Sequence, residues 1–387
     1  MADTLNTSLN TSDLVPIPVS TSFVTNETTQ FHVASLLKLS LEVTVDIQPP
    51  NPIHIPSPEE VRKIHDEAVR IMSVTMPYAL KQIQAIYQRT PGQTHARFVH
   101  YTTAEAALSI IRTKRFWLRN TNCMSDYREV QHGFDIFNRY FLDVAKRKAF
   151  VDAFDAVAPA AADEAFAAFN NWWQDLRFNT YIACVSEHQD SEDVNGRLSM
   201  WRAFGASGTQ VGIVLRFPYV SISAVSLALN FSPVAYLPES GAHGVIDEVI
   251  ANVHANRYYL RTLKREVLAQ LVFQMFASGI VCLKHEGFHE EREWRAIYTP
   301  KRWSSPMMES STEVVAGVPQ IIYKVPFDAS ASPLVADLDF AQVFDHLIVG
   351  PTPYPWPIYG AFVEALKATG VPSAEERVFV SNIPIRA

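Results

Sequence analysis

Only three cysteines, Cys123, Cys184 and Cys282, occur in 387 residues, and no two are near one another. Disulfide frameworks and Cys-x-x-Cys zinc knuckles need close pairs, so neither is predicted, and a reducing cytoplasm is the compartment that fits. Glycine is scarce, with 14 in all, which excludes collagen-like repeats. No basic run offsets the net charge of −7. That field repels nucleic acid and anionic membrane, so binding either would need a local patch such as Arg112, Lys114 and Arg115. The most apolar stretch, Leu271 to Leu283, is interrupted by Gln274 and falls well short of the ~20 residues that cross a bilayer. No membrane helix is predicted. The start, Met1-Ala2-Asp3-Thr4, has no basic segment followed by an apolar one, and does not read as a secretory signal. Gly-x-Gly-x-x-Gly, the Gly-x-x-x-x-Gly-Lys-Ser/Thr loop, His-Glu-x-x-His and Gly-x-Ser-x-Gly are all missing, which weakens nucleotide-fold, zinc-protease and esterase readings.

What is there is a globular composition, 48% hydrophobic and 19% charged, on a chain longer than one ordinary core serves. Residues 1–30, rich in Thr, Ser and Asn, read as a disordered tail. Residues 31–92 read as an extension: a strand pair over Phe31 to Ile47, a proline linker, then a helix opened by Ser57, Pro58 and Glu60 and broken at Pro77. Pro91-Gly92 marks the boundary of a main α+β domain, 93–387. Its predicted strands lie at Arg97–Tyr101, Phe116–Leu118, Thr180–Val185, Gln210–Phe217, Phe231–Leu237, Trp294–Tyr298, Gln320–Val325, His346–Val349 and Arg377–Val380. Helices are expected after Thr102, between Glu129 and Asp175, at Leu198–Phe204, over Val245 to Phe276 and over Tyr359 to Lys367. Strands and helices do not alternate regularly, which argues against a doubly wound sheet or barrel.

Four polar clusters stand beside these strands. His100-Tyr101-Thr102-Thr103 ends a strand and begins a helix, where an imidazole and a hydroxyl can meet a sugar or an anion. A structural histidine beside an ordinary cap is the plainer alternative. Asn120 to Glu129, with Asn122 and Asp126, is either a turn-and-cap segment or a binding loop. Trp201, Arg202 and Phe204 can stack on a flat ring, and Trp201 can equally fill the core. The sharpest cluster runs from Lys284 to Tyr298, where strand alternation would put Glu291, Glu293 and Arg295 on one face. Two carboxylates beside an arginine can stabilise a cation, orient a hydroxyl or hold a metal; a solvated edge strand with ion pairs has the same spacing.

In order, Val99-His100-Tyr101-Thr102, Ile110-Ile111, Phe116-Trp117-Leu118-Arg119-Asn120, Cys184-Val185-Ser186, Met200-Trp201 and Glu291-Arg292-Glu293-Trp294-Arg295 resemble a mainly bacterial family, "domain of unknown function twenty-nine seventy-one". That family is distantly similar to ADP-ribosyltransferases. The resemblance implies split antiparallel sheets with flanking helices, NAD as a substrate, and transfer to a macromolecular acceptor, protein or nucleic acid, by a toxin or phage-defence effector. It implies that His100, Tyr101 and Thr102 bind NAD with Asn122, Asp126 and Arg295, that Trp201 or Phe204 stacks on nicotinamide, and that Glu293 or Glu291 is the catalytic carboxylate. Ala203 and Phe204 stand where the family carries a polar residue and a tyrosine. Two alternatives remain open. One is a magnesium-dependent nuclease or phosphoesterase on Asp126, Glu129, Glu291 and Glu293, and the other a non-catalytic binding module.

Overall fold

The computed structural model describes residues 58–89, 94–124, 129–204, 209–219 and 221–384. Its strands are β1 (His95–Thr103), β2 (Arg115–Asn120), β3 (Tyr181–Glu187), β4 (Gln210–Pro218), β5 (Asn230–Pro233), β6 (Ala235–Tyr236), β7 (Leu283–Lys284), β8 (Glu293–Tyr298), β9 (Glu309–Val315), β10 (Val318–Pro326), β11 (Phe344–Val349) and β12 (Val378–Val380). The principal helices are α1 (Pro58–Thr75), α2 (Pro77–Tyr87), α3 (Ala104–Thr113), α4 (Glu129–Leu142), α5 (Val144–Asp155), α6 (Ala161–Phe178), α7 (Leu198–Phe204), α8 (Glu239–Ala255), α9 (Arg265–Val281) and α10 (Pro355–Ala368). The protein is a mixed α+β fold with one large, mostly antiparallel sheet and flanking helices.

Ten strands join in that sheet along β12-β11-β4-β1-β3-β2-β10-β9, with β8 on β3 and β5 on β8. The sheet forks at β3. On one edge of β3, β1 pairs through Phe98 with Glu187 and Val99 with Ser186, while β2 pairs through Arg119 with Ile182 and Asn120 with Tyr181. Between them Ala183 to Val185 pair with neither, and β1 and β2 diverge. The other edge of β3 is zipped to β8 from Tyr181 with Tyr298 to Ser186 with Glu293.

Alternation along these strands separates two layers. Phe98, Val185, Ile213, Leu215, Trp294 and Leu347 enter the main core, covered by α3 and α10. Val99, Tyr101, Val214 and Ile348 face the other way with Trp201. A second core is helical and aromatic: α4, α5, α6, α8 and α9 pack Phe134, Phe141, Phe150, Phe166, Phe169 and Phe276 together. At its end α9 lays Val281, followed by Cys282, against Ile182 and Ile297 of the sheet. Gly133 of α4 sits against the Ile280 carbonyl of α9 so closely that no side chain fits between them.

Local chemistry explains most boundaries. Pro77 ends α1 and opens α2, with Met76 pushed out of helical geometry before it. Thr103, one residue later than expected, caps α3, its hydroxyl accepting from the Ala106 N–H at 3.2 Å. The single helix expected over Val245 to Phe276 is three: α8, a turn at Arg257–Leu260, and α9. Asn256 and Thr262 spend side-chain hydrogen bonds on the Asn252 and Tyr259 carbonyls at 2.9 and 2.7 Å, an alternative to continuing the helix. The edge strand β9 was not expected, because Glu309-Ser310-Ser311-Thr312-Glu313 lacks a buried face. The predicted tail and the strand pair at Phe31 to Ile47 lie outside the described residues. The helical part of the extension packs on both cores: Val74 on the helical one, Ile86 and Tyr87 on the sheet.

Candidate functional site

The β3–β8 register places Cys184 beside Arg295 and Ser186 beside Glu293, all four on the face away from the main core. Glu293 and Arg295 therefore share a face as expected, but Glu291 does not reach it by strand alternation. The strand starts at Glu293; Glu291 ends a 3-10 turn, Glu286–Glu291, and Arg292 takes left-handed backbone with φ of 44°. Glu291 joins through Lys284, which the short β6–β7 pair sets opposite Tyr236. Lys284 Nζ lies 2.6 Å from Glu129, 2.7 Å from Glu291 and 3.3 Å from Glu293. Arg295 Nε donates to Glu293 at 2.8 Å, its Nη1 to the Val281 carbonyl at 2.5 Å, and its Nη2 to Glu129. The Tyr236 hydroxyl accepts from the Glu293 N–H at 2.9 Å.

Three carboxylates thus share two cations in a mostly buried pocket, and their proton affinities diverge. Burial alone would raise the Glu293 carboxyl, yet Arg295 and Lys284 outweigh it and hold it down at about 2. For Glu291 burial prevails over the single hydrogen bond from Lys284, and its carboxyl is raised. Burial opposes the Lys284 charge, but Glu293 and Glu129 keep its ammonium above the usual lysine value. The Cys184 thiol, raised well above its ordinary value by burial and then by Glu293, donates to that carboxylate. The magnesium arrangement does not fit this centre. Glu129, Glu291 and Glu293 are gathered, but the ammonium and guanidinium stand where the ion would sit. Asp126 lies outside the described residues.

His100 leaves β1 on the side opposite Val99, hence opposite Glu293, and packs edge-on against Phe116 at 4.7 Å. Its Nδ1 lies 2.9 Å from the Cys184 carbonyl, in the fork where β3 has no strand partner. A carbonyl only accepts, so Nδ1 carries the proton and Nε2 is the lone-pair nitrogen, with no partner among the described residues. Burial lowers the affinity of this imidazole for a second proton. Tyr101 points to the opposite layer, where its hydroxyl accepts from the Arg197 N–H at 2.9 Å. Thr102 is half-buried beside Val211 of β4.

Trp201 is core, not a stacking platform. It is 3% exposed, meets Tyr101 edge-on at 4.7 Å and donates from Nε1 to the Asn195 carbonyl at 2.7 Å. Gly196, with φ of +64°, and Gly350 leave it the slot it fills. Nothing is described of the Phe204 side chain. Asn122 makes a turn, its amide donating to Asn120 at 2.9 Å and to the Arg177 carbonyl at 2.8 Å, which is the turn-and-cap reading. Arg295 is 1% exposed and fully engaged, so it positions carboxylates instead of holding a phosphate.

The sequence did not single out Lys284 as the hub, nor Arg197, which links Glu192 at 3.2 Å with the Glu187 and Glu290 carbonyls at 2.7 and 2.6 Å. Both act through turns that no regular spacing announces.

Residues 200–296 match a family model described as "Protein of unknown function (DUF2971)". The match runs from α7 to β8, taking in Lys284, Glu291, Glu293 and Arg295, and supports the family reached from the motifs. No curated protein and no solved structure matches the chain.

Proposed function

Taking the matched segment with the geometry around it, we propose that the protein is an ADP-ribosyltransferase-like enzyme that cleaves the N-glycosidic bond of NAD and passes ADP-ribose to a macromolecular acceptor. The observation that carries this reading is the pair Glu291 and Glu293 on one lysine, with proton affinities displaced in opposite directions. Glycosidic chemistry uses two such carboxylates, one held ionised and one able to exchange a proton. Side-chain exposure is 28% for Glu291 and 7% for Glu293. Glu291 is therefore the carboxylate that meets the substrate, and Glu293 is a positioning residue that fixes Lys284 and Arg295.

Nicotinamide departs with the bonding pair, leaving an oxocarbenium at the ribose. The fixed carboxylates stabilise that charge more in the transition state than in the ground state. The acceptor nucleophile then bonds to the ribose carbon and gives its proton to Glu291. His100, through its unprotonated Nε2, offers an acceptor to a ribose hydroxyl in the fork. The test is nicotinamide release and label transfer from NAD to protein or nucleic acid. Glu291→Gln is expected to lower the rate by about 10² to 10³. Wild-type protein that neither releases nicotinamide nor transfers label removes the reading.

A further inference from the structure

We propose that His188, Asp193 and His346 form a binding site for a divalent first-row transition ion of the zinc type, separate from the carboxylate pair. The three residues come from the segment after β3, the following turn and β11, and each offers one ligand atom within 4.8 Å of the others. His188 Nε2 lies 2.8 Å and His346 Nε2 3.9 Å from the same Asp193 oxygen, with ring centroids 5.4 Å apart. The paired residues His346, Val214 and Val99 carry this site across the sheet on the face that Ser186 and Glu293 share.

An orphaned atom points to a ligand. His188 and His346 are 3% and 4% exposed, and among the described residues the enclosed His346 Nε2, which faces the site, has no hydrogen-bond partner, nor does His188 Nδ1 on the far side of its ring. Buried polar nitrogens are ordinarily satisfied. His346 Nδ1 faces Asp345 at 3.4 Å, which places the proton there and leaves Nε2 as a lone pair directed toward Asp193. His188 now gives its Nε2 proton to Asp193, while its Nδ1 lies 3.9 Å from Glu192. An ion accepted by both Nε2 atoms and by Asp193 moves the His188 proton to Nδ1, facing Glu192, with no proton lost. Each imidazole is then backed by a carboxylate, the arrangement that orients histidine ligands.

The charges facing the site allow a dication. Arg97 reaches Asp193 at 2.9 Å, Asp345 at 3.1 Å and Asp190, and Arg216 reaches Asp345. Against these two arginines stand three aspartates, while Glu192 is held by Arg197 and Arg292, each at 3.2 Å. Two imidazoles and one carboxylate select zinc or its neighbours over magnesium or calcium. The Asp193 side chain is 35% exposed, which leaves a route in and a position for water.

The experiment is calorimetric titration of chelator-treated full-length chain with zinc chloride, with cobalt(II) absorption as a second probe. One equivalent is expected to bind, with affinity at least 100-fold weaker in His346→Ala and in Asp193→Asn, each checked for folding by circular dichroism. Cobalt in the wild type, which needs no variant, is expected to give visible d–d bands without thiolate charge transfer. Wild type that binds no zinc, variants that are folded and bind it unchanged, or thiolate bands placing the ion on cysteine would each overturn the proposal.

Discussion

His100 and Glu293, on opposite faces of the sheet, are joined through one residue: the Cys184 carbonyl accepts from His100 Nδ1 at 2.9 Å, and the Cys184 thiol donates to the Glu293 carboxylate. The fork in the sheet makes this possible, since a strand laid along Ala183 to Val185 would have consumed that carbonyl in its ladder. A single backbone position thereby fixes the separation of the imidazole and the carboxylate.

Removing the imidazole should weaken NAD binding without unfolding the chain. One hydrogen bond contributes about 0.5–1.5 kcal/mol, so His100→Ala is expected to raise the dissociation constant by roughly 2- to 10-fold. Calorimetry reads this directly, and unchanged affinity would take His100 out of the binding site.

Glu293 is a different case, because its partners are buried with it. Glu293→Gln leaves Glu129 and Glu291 to balance Arg295 and Lys284 but gives both cations a weaker, neutral partner, and a loss of about 1–3 kcal/mol is expected in urea unfolding. A single variant as stable as wild type would show that the pair holds nothing in place.

The dependence on pH has two signs. The Glu293 carboxyl is depressed from its ordinary 4.5 to about 2, so it contributes stability above about 4.5 that is lost as pH falls toward 2. His100 and His188, lowered by burial, add stability above the ordinary histidine value of 6.5 that declines below it. Melting temperature should therefore begin to fall below pH 6.5 and fall again below 4.5. Glu291, raised by burial, contributes in the opposite sense, and its ionisation should place the acid limb of NAD cleavage above the usual glutamate range. A limb at or below that range would exclude Glu291 as the group that titrates.

Close backbone contact makes two glycines sensitive. A methyl group at Gly133 would strike the Ile280 carbonyl, and one at Gly350 would meet the Gln210 carbonyl at 2.9 Å and the Trp201 ring at 3.0 Å. Gly133→Ala and Gly350→Ala should each destabilise by about 1–3 kcal/mol in calorimetric melts. Gly244→Ala, with open space around it, is the control expected to leave the melt near wild type.

The sequence made strands such as β1, β4 and β11 legible because their apolar runs are short and bounded by polar turns. It also located the Lys284 to Arg295 segment as the densest charge. It misplaced Glu291, because alternation was extended through Arg292, where left-handed backbone breaks the period. Trp201 was ambiguous because stacking and filling use the same residue, and only the glycines at 196 and 350, distant in sequence, show which it does. His188 and His346 were not singled out, since a set spread over the segment after β3, a turn and β11 has no spacing to read.

The partners of β3 also say when the site can exist during folding. Ser186 waits for Glu293, Val99 for Val214, and Arg119 for Ile322, whereas within the helical core Phe134, Phe141, Phe150 and Phe166 lie near one another in sequence and only later meet Phe273 and Phe276 of α9. Distant pairings close slowly because the chain entropy of the loop is spent before any contact returns it. Helices α4 to α6 are thus poised to collapse first and the sheet, with α8 and α9, to close around them later. Glu129, at the start of α4, then meets Lys284 and Arg295 only in the closing steps, so the cluster of three carboxylates and two cations is complete only in the fully folded chain.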